Sequence, residues 1–355
     1  MTNHFASASV SFVPCSKFFP RSFSQLLLRP RKTVRAMGNA PISVRFSPFL
    51  IPALSQIPSI ALFSYDRSSF GNRICVWASD ELAIMKYWDR CRLVANYLWD
   101  IMQKSTRVYQ DVPVDLGDGI VCDFVPENVF CFARKLGKKN PLLPNPYLLR
   151  RRKAFGKPLP LDKKKDVLYF RGSSTGDSSY EANRRVALCL AAKSIDGSNC
   201  GISHIVHVDD CFSERLRNDG ILRPPDPLST INQHRFTVDV DGNTSSWDRL
   251  FSISSFGSVP IRFECEFEEC WHELLVEGEH FVAADRFNLG SVVERLRNNL
   301  SEAKRISSNS TKLVNEHLSP KRIQEWFADA WLSQAESRPK AEVTQYEHDH
   351  EDTHK

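Results

Sequence analysis

Two stretches of this chain end an apolar run with glycine, hydroxyl side chains and arginine. The first is Tyr169-Phe170-Arg171-Gly172-Ser173-Ser174-Thr175, and the second runs from Asp239 through Gly242, Asn243, Thr244, Ser245, Ser246 and Trp247 to Arg249. Beyond the carboxyl end of a strand in an open parallel sheet, a glycine admits a phosphate close to the backbone. An arginine there adds charge-assisted hydrogen bonds. In the first stretch Arg171 is thus a candidate to hold a diphosphate, with Gly172, Ser173 and Thr175 around it; the alternative is a plain strand-to-helix turn with an incidental Arg. In the second, Gly242 suits a tight turn, and Ser245 or Ser246 can cap a following helix whose N-terminus faces an anion. Asp239 and Asp241 also spell an Asp-x-Asp triplet, which can hold a divalent metal bridging a diphosphate. Such triplets arise often by chance, and the preferred reading requires no metal.

These turns need a sheet to carry them, and the pattern from residue 160 onward supplies one. Apolar runs at Asp166–Arg171, Gly201–Val208, Arg235–Val240 and Ser258–Phe263 alternate with helical periodicity at Tyr180–Lys193, Ser246–Phe256 and Leu289–Ser307. That alternation predicts a parallel sheet covered on both faces, a Rossmann-like lobe. A last helix is expected over Pro320–Ser333, with Pro where a missing N–H costs little. Upstream, Leu82, Met85, Trp88, Leu93, Tyr97 and Ile101 recur near a helical period, so residues 80–104 read as an amphipathic helix. Pro141, Pro144 and Pro146 mark a loop, the basic run Arg150–Lys153 follows, and Lys163–Lys165 suggests a lobe boundary near residue 160.

At 355 residues with 42% hydrophobic content, the chain has material for two domains, each with its own core. Residues 1–65 hold seven Lys or Arg and no Asp or Glu, leaving 40 basic against 42 acidic residues in the body. A near-neutral body gives nucleic-acid binding no support. The acid-free opening has the composition of an organelle transit segment, or else is sequence foreign to the domain, and is not expected to pack against the body. The apolar stretch Phe49–Phe63 contains Pro52 and Pro58 and falls short of the ~20 residues of a spanning helix, so no transmembrane span is expected. The ten cysteines include no Cys-x-x-Cys pair, so a zinc ribbon or thioredoxin site is not suggested. Cys265 and Cys270 read as buried thiols or a disulfide, undecided between the two. The tail 336–355, biased to His, Asp and Glu, reads as disordered.

Taken in order, YFRGSS with Arg184 or Arg185 on the next helix, FTVDVDGNTSSWDRL, FGSVPIRF and EFEECWHELLVEGEHFV resemble the motifs of the capsule-associated glycosyltransferases, family 90, which include Rumi-like protein O-glucosyltransferases. The resemblance covers about residues 160–335. It implies a GT-B-like α/β fold of two Rossmann-like lobes with parallel sheets, the nucleotide sugar held mainly by the C-terminal one. The implied divisions are a leader (1–65), a shortened N-terminal acceptor lobe (66–160), a C-terminal donor lobe (161–335) and the tail. By the same resemblance Arg171 and Arg249 meet the donor diphosphate, Ser173 and Thr175 lie beside it, and Gly172, Asn243, Ser245 and Ser246 belong to the donor turns. Glu266 and Glu269 fall on acidic positions that could accept ribose hydroxyls, although a solvated charge run explains them equally well. His280 and Phe281 fall on a structural pair. A secretory-pathway lumen is implied, against a plastid or mitochondrion from the acid-free N-terminus.

An inverting transfer needs a base to take the acceptor proton and cationic groups to stabilise the departing diphosphate. The segment Asp111–Gly119 resembles the family's strand end bearing its catalytic Asp, with Asp118 the best match, Asp115 second and a plain loop role as the alternative. The expected activity is movement of glucose or xylose from UDP-glucose or UDP-xylose to a hydroxyl on a protein or glycan, with no cofactor beyond the donor. The competing reading is an inactive nucleotide-sugar- or glycan-binding protein, because only about 95 residues remain for the acceptor lobe.

Overall fold

The computed structural model describes residues 8–10, 42–46, 59–68, 71–78, 86–104, 112–120, 125–145, 147–148 and 157–337. The basic run at 150–153, the start of the helix read from residue 80, and nearly all of the leader and tail lie outside them.

The first half holds strands β1 (Ala8–Val10), β2 (Ile42–Phe46), β3 (Ile60–Ser68) and β4 (Gly71–Ala78), helix α1 (Trp88–Lys104) and strand β5 (Val112–Asp115). They form one sheet in the order β1-β2-β4-β3-β5, in which only β2 and β4 run parallel. This corrects the expectation of a second parallel, Rossmann-like lobe: β3 and β4 pair antiparallel across a tight connection, Ser68 facing Gly71, which leaves no room for a crossover helix. The leader boundary also moves. Ile60 to Tyr65 lie in β3 and are buried, with Phe63 fully enclosed, because Ala61, Phe63 and Tyr65 alternate onto the face covered by α1. On α1 the covering residues are Trp88, Cys91, Val94, Ala95, Leu98 and Met102, at helical spacing.

After strand β6 (Arg134–Lys135), the second half reads β7 (Lys165–Ser173), α2 (Arg184–Ala192), β8 (Ser198–His204), α3 (Asp210–Asn218), β9 (His234–Val240), α4 (Arg249–Ser255) and β10 (Val259–Phe263). Strands β11 (Phe267–Glu268) and β12 (Val282–Ala284) follow, then helices α5 (Leu289–Asn298), α6 (Leu300–His317) and α7 (Pro320–Ser337). The sheet order is β12-β10-β9-β7-β8, all parallel, which is the doubly wound α/β arrangement expected. Leu168 and Phe170 of β7, Phe236, Val238 and Val240 of β9, and Val259, Ile261 and Phe263 of β10 face one core. Tyr169 faces a smaller one with Ile231, Ile253 and Phe256, so β7 is covered on both sides.

Two details depart from the sequence reading. The helix expected over Leu289–Ser307 breaks at Asn299, whose side chain accepts from the Glu302 N–H and caps α6. The boundary at 161–335 does not isolate a lobe, because Ile323, Phe327 and Trp331 of α7 complete the core of the first half. Phe327 lies 4.6 Å from the Tyr97 ring and Trp331 stacks on Phe130 at 5.1 Å. Strands β6 and β11 pair antiparallel and add a second tie between the halves. No helix among the described residues is long and apolar enough to cross a membrane.

Candidate functional site

In the second sheet, the chain leaves β7 for β8 on one side and returns past it to β9 on the other. Connections on opposite sides diverge here, so the crevice outside the carboxyl ends of β7 and β9 is where an open α/β sheet takes a ligand. Both glycine-hydroxyl turns end at this point.

Each glycine makes room for a guanidinium. A Cβ on Gly172 would lie 2.8 Å from the Phe170 ring and 3.2 Å from Arg249 Nη2; one on Gly242 would lie 2.6 Å from Arg185 Nη2 and 2.9 Å from the Thr175 hydroxyl. Arg249 donates to the Arg171 carbonyl at 2.8 Å and lies over the Phe170 ring, while its Nε is buried with no hydrogen-bond partner among the described residues. Arg185, from the first turn of α2, donates to the Ser173 carbonyl and hydroxyl, to Thr175 Oγ1 at 2.6 Å and to the Asp241 carbonyl at 3.1 Å. It therefore ties the two turns together. Loss of hydration, helped by the neighbouring charge of Arg249, lowers its pKa to about 10. Burial lowers that of Arg249 too. Asn183 caps α2 and donates to the Ser174 and Asp177 carbonyls, fixing the loop between β7 and the helix.

Other candidates are engaged differently from expectation. The Arg171 guanidinium turns aside: Nε donates to Asp226 at 3.1 Å, Nη2 to Asn199 at 2.7 Å and Nη1 to the Phe170 carbonyl. Ser245 and Ser246 do not cap α4, whose N-cap is Asp248 with no side-chain capping bond. Ser246 donates to Asp239, and Ser245 donates to Glu269 at 2.6 Å. The Asp-x-Asp carboxylates are both buried and taken by protein groups. Asp239 faces Arg262 at 3.5 Å, and Asp241 accepts the Glu266 and Phe267 N–H groups at 2.6 and 3.2 Å, which anchors the segment after β10. Loss of hydration, with the Asp239 charge, raises the Asp241 carboxyl to about 7.

Asp118 comes to the same place from the first half. Gly119 follows it at φ 134°, and a Cβ there would sit 2.4 Å from the Ala133 carbonyl oxygen, so the turn tolerates only glycine. Asn243 donates to Asp118 Oδ2 at 3.3 Å and Thr244 to the Asp118 carbonyl at 2.5 Å. The carboxylate thus touches the turn after β9 directly, rather than standing across an open gap from Arg171. Its Oδ1 is held by Arg90 of α1 at 3.0 Å. The second choice, Asp115, is buried and accepts the Gly117 N–H at 2.8 Å; burial raises its pKa.

The two glutamates join the halves. Glu266 pairs with Arg184 at 2.6 Å and with Lys135 of the first half at 3.6 Å. Glu269 is buried between Ser245 and Asn145, which donates at 3.1 Å from the first half. His280 accepts the Val276 N–H and Phe281 lies under Arg262, both structural contacts.

No family model matches this chain, and no curated protein matches it. Among solved structures it is similar to the C-terminal domain of a group 1 glycosyl transferase, LpcC, from Francisella tularensis, at 10% identity and TM-score 0.33, over 46% of this chain and 96% of that one. It is also similar to Anabaena HepE crystallised with UDP-glucose, at 11% identity and TM-score 0.35, over 53% of this chain and 52% of that one. A S. aureus TarM variant crystallised with UDP gives 10% and 0.36, over 58% and 43%. The chain spans about half of HepE and less than half of that TarM chain. Likeness of this size assigns no family and no activity.

Two contributors escaped the sequence reading, Arg90 and Asn145, and Thr244 reads there only as part of its turn. Arg90 lies on the apolar face of α1 beside Trp88 and Cys91, and an arginine on such a face is the one signal that could have marked it. Asn145 carries no pattern, and only the fold brings it to Glu269 and brings Thr244 to Asp118.

Burial raises the Glu269 carboxyl to about 8. A carboxyl that holds its proton more tightly folded than unfolded stabilises the fold at and below the ordinary Glu range. That stability is lost as pH rises from there through 8, by at most about 1.4 kcal/mol per pH unit. Glu269→Gln stays neutral throughout. Urea unfolding at about pH 5, 6.5 and 8.5 is expected to show the wild type losing stability relative to the variant as pH rises. Parallel pH dependences would refute it.

Proposed function

We propose that this chain is a UDP-sugar-dependent glycosyltransferase that moves glucose or xylose, with inversion, to a hydroxyl of a protein or glycan. The observation that carries the reading is the pair of guanidiniums of Arg185 and Arg249, packed into the spaces left by Gly242 and Gly172 at the switch point between β7 and β9. Two like charges gathered beside hydroxyls and glycines favour a diphosphate between them. In this reading Asp118 Oδ2 exchanges its 3.3 Å contact with Asn243 for the acceptor hydroxyl. The proton passes to Asp118 as the acceptor oxygen bonds to the anomeric carbon, and the bond to the diphosphate breaks with its electron pair leaving on UDP. The hydroxyls of Ser173 and Thr175, 3.1 Å apart, stand beside the site, and Glu266 and Glu269 shape its wall.

A second reading, a nucleotide-sugar- or glycan-binding protein without turnover, is favoured by one observation: Asp118 is already held by Arg90, Asn243 and Thr244. Incubation of the whole chain with UDP-glucose or UDP-xylose, an acceptor mixture and EDTA separates the two. The transferase is expected to release UDP with one of the donors. Tight UDP binding with no release for either donor supports the binding protein, and neither binding nor release refutes the transferase and the nucleotide-sugar-binding reading alike.

A further inference from the structure

Arg90 sits at a junction that neither glycine-hydroxyl turn accounts for. Its side chain is 10% exposed, and its guanidinium donates to the carbonyls of Leu116 and Gly117 at 2.8 and 2.5 Å and to Asp118 Oδ1 at 3.0 Å. Three acceptors on consecutive residues fix the whole turn, and the planar fork presents its donors in one rigid arrangement. The same guanidinium lies over the Trp247 ring, 4.4 Å from its centroid, with Tyr87 at 5.0 Å and Tyr147 at 5.8 Å around it. Trp247 belongs to the other half. It ends the turn after β9 and is held at φ 61°, a conformation costly for a bulky side chain, so its ring is aimed by the path of residues 242–246. Its N–H is 3.3 Å from the Ser245 hydroxyl, and its ring also meets Tyr147 edge-on at 5.4 Å.

We propose that Arg90 is a positioning residue: seated on Trp247, it orients the Asp118 carboxylate and couples it to the state of the turn after β9. The proposal rests on the transferase reading of Asp118. A change in the turn on donor binding moves the Trp247 face; the guanidinium follows, and the three bonds to Leu116–Asp118 carry the change to the carboxylate. Lysine at 90 would keep the charge but lose the fork and most of the stacking.

The test uses the whole chain as wild type, Arg90→Lys, Arg90→Gln and Trp247→Phe, with Arg92→Gln on the same helix as a control. Arg92 faces away, toward Asp89 at 3.9 Å. Two readouts are taken: steady-state transfer, and UDP-dependent hydrogen exchange of the amides at 116–119 beside calorimetric UDP affinity. In Arg90→Lys, kcat is expected to fall at least about tenfold with the donor KM within about twofold. UDP should slow exchange at 116–119 in the wild type and in Arg92→Gln. That slowing is expected to vanish in both Arg90 variants and to weaken in Trp247→Phe, although all of them still bind UDP. A part that is structural only would alter thermal stability without separating UDP binding from the response of this turn. If Arg90→Lys binds UDP and keeps both the exchange response and kcat, the coupling is refuted while the transferase reading stands. If the wild type binds no UDP, the transferase reading fails and takes the coupling with it.

Discussion

Asp118→Asn is expected to reduce transfer by about 10²- to 10⁴-fold, the usual contribution of a positioned general base. UDP affinity should stay within about twofold. The substitution preserves shape: an Asn oxygen can still accept from Arg90, and the Thr244 bond reaches the backbone carbonyl, which is unchanged. Basicity is removed together with the long 3.3 Å bond from Asn243 to Oδ2, so loss of turnover with retained calorimetric UDP binding would identify the proton acceptor. Full transfer by the variant would exclude the role. Joint loss of binding and turnover would assign the Asp118 side chain to holding the two halves together through Asn243.

The second large effect separates two arginines that the sequence treats as equivalent. Arg249→Ala is expected to weaken UDP binding by about 1.5 to 3 kcal/mol, the size of a hydrogen bond to a charged group. Its guanidinium lies at the carboxyl end of β7, and its Nε is buried with no hydrogen-bond partner among the described residues. Arg171→Ala should leave UDP affinity nearly unchanged and lower stability instead, because its donors are committed to Asp226, Asn199 and the Phe170 carbonyl. Equal losses of affinity in the two variants, measured by calorimetry on folded protein, would overturn this division.

Much of the second sheet was legible in the sequence. Parallel strands buried on both faces read as largely apolar runs; Leu168–Phe170 of β7 is continuous, whereas Arg235, Thr237 and Asp239 punctuate β9 and Arg262 punctuates β10. The short edge strand β12 and helix α3 left too little pattern to see. Helix α1 was legible in kind and misjudged in phase, since Leu93 and Ile101 are half-buried whereas Cys91, Val94 and Leu98 face the core. Strand direction in the first half was not legible, because periodicity records which face is buried and not which neighbour runs beside it. At the candidate site, residue types pointed to two turns that the fold brings together beyond β7 and β9, but partners did not follow from types. Gly172 reads as space for a phosphate and Gly242 as a tight-turn residue, whereas guanidiniums fill the space beside both. Ser245 and Ser246 were read as caps, but buried carboxylates lie closer to them than the N–H groups of a seven-residue helix.

The placement of α7 has a consequence for how the chain is made. Synthesis delivers β3, β4 and α1 early, yet the apolar surface that Ile323, Phe327 and Trp331 cover stays open until the rest of the described chain has been translated. The second sheet, whose strands and helices follow one another closely in sequence, can assemble in the meantime. Order of emergence and order of completion are thus reversed, and the half made first keeps its apolar surface open the longest.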